Sequence, residues 1–372
     1  MGTQGIAAVF VGPRRPLSVE PFVLDAPGPG EVLVAMVASG VCHSDLHVVD
    51  GDWARPTEVI LGHEGAGIVR AVGEGVAEPR VGDLVVLAWN APCGACGPCR
   101  RDEVWLCRSP RTAGHRLAPE QVRAHRLDGR PLGVYHGTGT HATHQVIDAT
   151  AAITIDPRTP HDVAALIGCA ATTGVGAVRN TARIRGGESV VVIGLGGVGL
   201  AALMAAVEVG AQVIAIDSQP DKLALATELG ATHVLEPGDA RGQVARITDG
   251  GADHVLEAIG LVATSELALA CVRPGGTVTL VGMVAQAERI PIDGYRFVED
   301  GVRLLGSNYG SAVPARDLPR IASDVTSGRL PLGRLVSEHI ELAGIDDALD
   351  AMRRRDGARR VVMFAAEGRI RG

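Results

Sequence analysis

Four cysteines within fifteen residues, Cys93, Cys96, Cys99 and Cys107 in CGACGPCRRDEVWLC, constrain the fold of this chain more than any other feature. Gaps of two, two and seven residues let four thiolates converge on one tetrahedral ion, and Gly94, Gly97 and Pro98 let the backbone wrap around it. Such a site is closed, so zinc there is structural. Two disulfides would use the same residues. Nothing else points to secretion: MGTQGIAAVF has no basic segment ahead of its apolar run, GPRRP breaks it, and only seven cysteines occur in 372 residues. The expectation is a metal lobe at about residues 92–108 in a cytoplasmic protein.

With 46% hydrophobic and 21% charged residues, the chain is long enough for two domains with real cores. A net charge of −7 and no basic run argue against nucleic acid or an anionic membrane as partners. Val190 to Val207 is apolar and uncharged over 18 residues, as a membrane helix would be, but it contains GLGGVG. That interruption makes it a buried strand, a turn and a helix. The first 170 residues read as β-rich, with short apolar runs such as EVLVAMVA and DLVVLAW between Gly and Pro turns. From Glu188, ESVVVIG, AQVIAID, PDKLALATELG and GGTVTLVG alternate strand with helix, as a parallel α/β sheet requires. The expected division is 1–170, 171–308 and a return over 309–372.

Gly194, Gly196 and Gly199 form G-x-G-x-x-G between a predicted strand and a predicted helix, with Gly197 and Val198 in the same loop. Glycines there permit the tight turn and let a pyrophosphate approach free N–H groups at the helix start. Asp217 follows 18 residues after Gly199, at the end of the next strand, where its carboxylate can take the ribose hydroxyls and repel a 2′-phosphate. This favours NAD over NADP. Lys222, five residues on, can also reach the ribose.

A second metal constellation is discontinuous. GVCHSDLH places Cys42, His43, Ser44, Asp45 and His47 together, GHEG brings His63 and Glu64, and Cys169 stands in IGCAATTGVG. Ligation by two Cys and one His would leave a fourth position open, the mark of a catalytic zinc, for which alcohol dehydrogenase is itself the standard example.

In order along the chain, PGPGEVLV, GVCHSDLH, GHEGAGIV, the four-cysteine lobe, GCAATTGVGA and GLGGVG resemble the zinc-dependent alcohol dehydrogenases of the medium-chain dehydrogenase/reductase superfamily. The resemblance implies a GroES-like catalytic domain interrupted by a Rossmann domain, with the active site in the cleft between them. It implies that Cys42, His63 and Cys169 hold the catalytic zinc, that Glu64 lies close as a supporting or transient ligand, and that Asp45 orients His63. It assigns the proton route to Ser44 and His47, the nicotinamide contact to Thr173, and the pyrophosphate contact to Arg359 or its neighbour Arg360. His43 stands where many relatives carry Arg.

By the same resemblance Trp53, Trp89, Thr112, His141, Met283 and Asn308 fall near the substrate channel. The aromatic residues suit a bulky or aromatic alcohol or aldehyde, with His141 and Asn308 as polar contacts. Trp53 replaces the acidic residue by which glutathione-dependent formaldehyde-oxidising relatives recognise substrate, which disfavours that role. Histidines 115, 125, 136 and 144 read as surface residues. The expected activity is hydride transfer between an alcohol and NAD. The alternatives are a nicotinoprotein that retains NAD, a biosynthetic carbonyl or enal reductase, and a non-catalytic zinc-containing binding protein. A homodimer is expected, with the strand near Thr277 to Val281 available to pair across a two-fold.

Overall fold

The computed structural model describes residues 2–108 and 121–365. The chain divides into two compact units. The first takes the chain up to Cys169, Val313–Gly328 and the chain from Val336; the second takes Ala170–Ala312 and Arg329–Leu335.

In the first unit, strands Thr3–Phe10, Ser18–Leu24, Ala124–Arg126, Pro131–Val134 and Val59–Ile60 close a small barrel. Val9, Phe22, Leu24, Ile60 and Leu132 fill it, all essentially removed from water. Beside it lies a seven-stranded sheet whose central strand, Glu31–Gly40, is buried along most of its length, as its apolar run requires. That strand places the site. Its end at Gly40 lies opposite Glu64 on one side and Val361 on the other. Three distant segments, after Gly40, before Glu64 and around Arg359, therefore meet at one point.

The second unit is a six-stranded parallel sheet in the order His233–Leu235, Gln212–Ile216, Ser189–Ile193, Ala252–Glu257, Val272–Leu280, Arg303–Gly306. The chain starts in the middle, at Ser189–Ile193, builds outward to one side, then returns to build the other. The switch between Ser189–Ile193 and Ala252–Glu257 is where doubly wound sheets open a crevice at their carboxyl ends. The apolar run from Val190 resolves into strand Ser189–Ile193 and helix Gly197–Glu208, separated by the glycine turn.

Two features differ from the sequence reading. Val272–Leu280 is paired on both sides, by Ala252–Glu257 and Arg303–Gly306, so it has no free edge for a two-fold; Arg303–Gly306 ends the sheet. Among the described residues one helical segment that the sequence reading did not single out, His161–Ala182, is long and apolar enough to cross a membrane, and 83% of its apolar window is buried inside the fold, as in a core helix. It contains two π-helical stretches, Ile167–Ala171 and Ala177–Ala182. Cys169 lies in the first, a widened turn of a kind that recurs at functional sites.

Candidate metal and cofactor sites

Cys42 caps helix His43–Asp50, and its backbone N–H donates to Asp45 Oδ2 at 3.2 Å. His63 follows strand Val59–Ile60, and Glu64 opens strand Glu64–Val72. Ligand atoms of Cys42, His63, Glu64 and Cys169 all lie within 4.8 Å of one another, and all four residues are buried. Room for the Glu64 carboxylate comes from Gly40, where a Cβ would stand 2.3 Å from Glu64 Oε2.

The electrostatics of this cluster are those of a cation site. A hydrogen bond with Cys169 holds the Cys42 thiol well below its ordinary value against the effect of burial, with Arg359 and His63 assisting, while the same bond and burial push Cys169 up. Burial raises Glu64 to about 7, although the Arg359 charge opposes it. Burial also works against ionisation of Asp45, yet His63 and His141 hold that carboxyl far below the usual range. Asp45 Oδ1 lies 3.3 Å from His63 Nδ1, which leaves Nε2 of that ring for a metal. Two thiols, an imidazole and an adjacent carboxylate are a donor set that suits zinc.

Cys93, Cys96, Cys99 and Cys107 also present sulfurs within 4.8 Å of one another, and none is in a disulfide. Backbone N–H groups point at these sulfurs, from Cys96 to Cys93 Sγ and from Cys93 to Cys107 Sγ, both at 3.4 Å. The short helix Gly97–Arg100, with Pro98 in its first turn, makes the wrap that sets Cys99 inside. The set fits one closed zinc.

Around the open cluster stand aromatic rings. Tyr135 meets His63 edge-on with centroids 5.6 Å apart, and its hydroxyl donates to Ser44 O at 3.5 Å. His136 lies 5.7 Å from His63 and 5.2 Å from Trp89. Ser44 Oγ is 3.8 Å from Cys42 Sγ. His47, half-exposed, stacks on Trp53 at 4.8 Å and its Nδ1 is 2.9 Å from Asp52 Oδ2. His43 is exposed at the start of the same helix.

Other expected residues are placed differently. His141 is wholly buried, not on a pocket wall. Arg359 is 4% exposed, and its Nη2 lies 3.4 Å from Glu64 Oε1 and 3.7 Å from Cys42 Sγ, so it faces the metal cluster. Arg360 pairs with Glu338 at 2.8 Å. Met283 and Asn308 are exposed on the second unit. Thr112 and His115 lie outside the described residues. Tyr135 escaped the sequence reading, and His136, expected there at the surface, is half-buried against His63 and Trp89. Their one signal was an adjacent ring pair in a chain with only 3% aromatic residues.

In the second unit, Gly194 has φ +92, and a Cβ on Gly199 would stand 1.7 Å from Gly194 O. Only glycine fits there, because helix and strand touch through the backbone. A Cβ on Gly196, the residue capping helix Gly197–Glu208, would meet nothing within 4 Å. The carboxylate of Asp217 accepts from Leu195 N at 2.7 Å and Gln219 N at 3.0 Å, tying it to the glycine loop. Lys222 is half-buried on helix Pro220–Glu228, and Thr173 half-buried on helix Thr172–Gly176.

Residues 28–157 match the alcohol dehydrogenase GroES-like domain, and residues 197–326 the zinc-binding dehydrogenase domain. The chain is similar to S-(hydroxymethyl)glutathione dehydrogenase of Photobacterium damsela subsp. piscicida, 35% identical over 366 residues that make up 96% of this chain and 99% of the relative. Among solved structures, an alcohol dehydrogenase zinc-binding domain protein from Burkholderia ambifaria superposes with a TM-score of 0.94 at 32% identity, over 98% of this chain and 100% of the other. Benzyl alcohol dehydrogenase from Acinetobacter calcoaceticus superposes at 0.91 with 29% identity and the same coverage. The chain therefore belongs to the zinc-dependent alcohol dehydrogenases of the medium-chain dehydrogenase/reductase superfamily. It is an oxidoreductase whose cofactors are zinc and NAD(H).

Proposed function

We propose that this enzyme interconverts a bulky, aromatic alcohol and its aldehyde or ketone, the alcohol giving a hydride to NAD⁺ and a proton to solvent. The observation that carries the reading is the half-buried ring pair of His136, beside His63, and Trp89 behind it, which offers flat ring surface beside an open donor set. Cys42, His63 and Cys169 would hold the catalytic zinc, with Glu64 adjacent, and Cys93, Cys96, Cys99 and Cys107 the structural one. When bound, the zinc supplies Lewis acidity to the reacting oxygen and NAD⁺ supplies the hydride acceptor. Ser44 Oγ takes the proton of the substrate hydroxyl, and His47 exchanges it with water. Asp52 accepts from His47 Nδ1–H, which leaves Nε2 free to receive that proton.

Besides Arg359, a second cationic residue lies near these rings. Arg55 lies with its guanidinium 5.8 Å from the Tyr135 centroid and makes no ion pair among the described residues. With His136 it favours an aromatic substrate carrying a polar or anionic substituent. Asp217 supports NAD over NADP, since its carboxylate already sits at the glycine loop. A homodimer through the edge strand Arg303–Gly306 completes the reading.

Steady-state rates on a panel of neutral aromatic, carboxylated aromatic and short aliphatic alcohols, with an S-hydroxymethyl thiol adduct, test it. Aromatic alcohols should give the highest kcat/KM with NAD⁺. Highest turnover of the thiol adduct would replace this substrate class with that named for the Photobacterium relative, and NADH retained through dialysis would favour the nicotinoprotein form.

A further inference from the structure

His141 is 0% exposed and lies in a chain of polar groups that are all nearly inaccessible to water. Thr140 Oγ1 is 2.7 Å from Ser39 Oγ, Ser39 Oγ is 2.9 Å from His141 Nδ1, and His141 Nε2 is 3.5 Å from Asp45 Oδ2. Asp45 in turn receives Gly62 N–H at 3.1 Å and Cys42 N–H at 3.2 Å, besides its contact with His63. Gly62 lets these segments close: its φ is +91, and a Cβ there would stand 2.5 Å from His141 N. One proton arrangement pairs both hydroxyls and Nδ1 and leaves Nε2, which makes no hydrogen bond in this geometry, 3.5 Å from the Asp45 carboxylate. The Thr140 hydroxyl donates to Ser39, and the Ser39 hydroxyl donates to His141 Nδ1. The remaining proton, on Nε2, then has Asp45 as the acceptor it faces, and a bare Nε2 beside a carboxylate would repel it.

We propose that His141 is a positioning residue for the catalytic zinc, acting through Asp45 as a second imidazole on the carboxylate that orients His63. Each carboxylate oxygen then faces one histidine and one backbone N–H: His63 and Gly62 on Oδ1, His141 and Cys42 on Oδ2. A carboxylate held on both oxygens cannot swing about its own bond, so the His63 ring keeps the orientation and tautomer that leave Nε2 for the metal. The role extends the zinc assignment above and rests on it.

Zinc release from the fully loaded protein, followed with a chelating dye, tests this independently of turnover. Wild type should lose zinc in two phases, and the four-cysteine phase serves as the internal reference. His141→Phe should speed the other phase by up to about 10- to 100-fold, the penalty for losing the direct partner of a metal-bound histidine, and leave the reference unchanged. His141→Gln, which retains an N–H donor, should restore most of the difference. Ser39→Ala keeps the ring and removes only the proton that selects the tautomer; it should move the same phase in the same direction by a smaller factor, and it carries the test if His141→Phe does not fold. Wild-type release in both variants overturns the proposal, as does equal acceleration of both phases, which marks general loosening of the fold. A single zinc per wild-type chain would instead overturn the two-site assignment beneath it.

Discussion

Arg359 Nη2 stands 3.4 Å from Glu64 Oε1, with the two side chains 4% and 0% exposed. An ion pair this deep is held as much by what its loss would leave behind as by its own attraction. Arg359→Met removes the cation that compensates the buried Glu64 carboxylate and should cost about 3–5 kcal/mol of stability at mildly alkaline pH. Adding Glu64→Gln should recover most of it. Urea unfolding of both variants checks the claim; a single variant as stable as wild type contradicts it.

The glycine loop predicts opposite phenotypes at neighbouring positions. Gly199→Ala forces a methyl against the Gly194 carbonyl and should destabilise the protein by about 3 kcal/mol or more. Gly196→Ala meets no protein atom, so thermal stability should hold while NADH binding weakens at least ~10-fold, because the methyl occupies the approach of the pyrophosphate. Thermal melts and NADH fluorescence titrations separate the two.

Ser44→Ala should reduce alcohol oxidation by roughly 10² to 10⁴-fold, the range for a positioned proton-transfer group. His47→Gln should lose less and be partly rescued by imidazole, since its half-exposed position lets buffer substitute. A wild-type rate and pH profile in the His47 variant would show that the proton leaves by another path.

His254, 7% exposed on strand Ala252–Glu257, has its pKa lowered by burial, with Arg303 adding to the shift and Glu188 and Asp253 opposing it. A depressed histidine favours the neutral form in the fold. Its contribution is full above the unfolded value of about 6.5 and is lost as pH falls through the lower folded value. His254→Gln should flatten the acid side of the melting-temperature profile. An unchanged slope would assign that sensitivity to other groups.

What the sequence made legible were groups whose chemistry lies in residue type and local spacing. The four-cysteine lobe and the glycine loop are each written within a few residues, and the apolar strands announce the parallel sheet. Cys42, His63 and Cys169 are distant in sequence, yet rare residue types in a recognisable order were enough to group them. The surroundings were not legible, because they depend on long-range register. Arg359 reaches Glu64 because Gly40 lies opposite both Glu64 and Val361, which no local pattern encodes. His136 reaches Trp89 and His63 from a backbone with φ 51, a conformation its neighbours in sequence do not signal. His141 turned inward for the same reason: Ala142, beside it, is bridged to Ala7 of the barrel.

Zinc content per chain, measured beside NADH formation from an aromatic alcohol, tests the central claim most directly. Wild type should hold two zinc ions and turn over. Cys169→Ser should keep its fold and one zinc and lose activity, while Cys99→Ser should lose the other zinc and much of its stability. A wild-type chain without zinc, or a Cys169→Ser variant that retains both ions and full activity, would contradict the account.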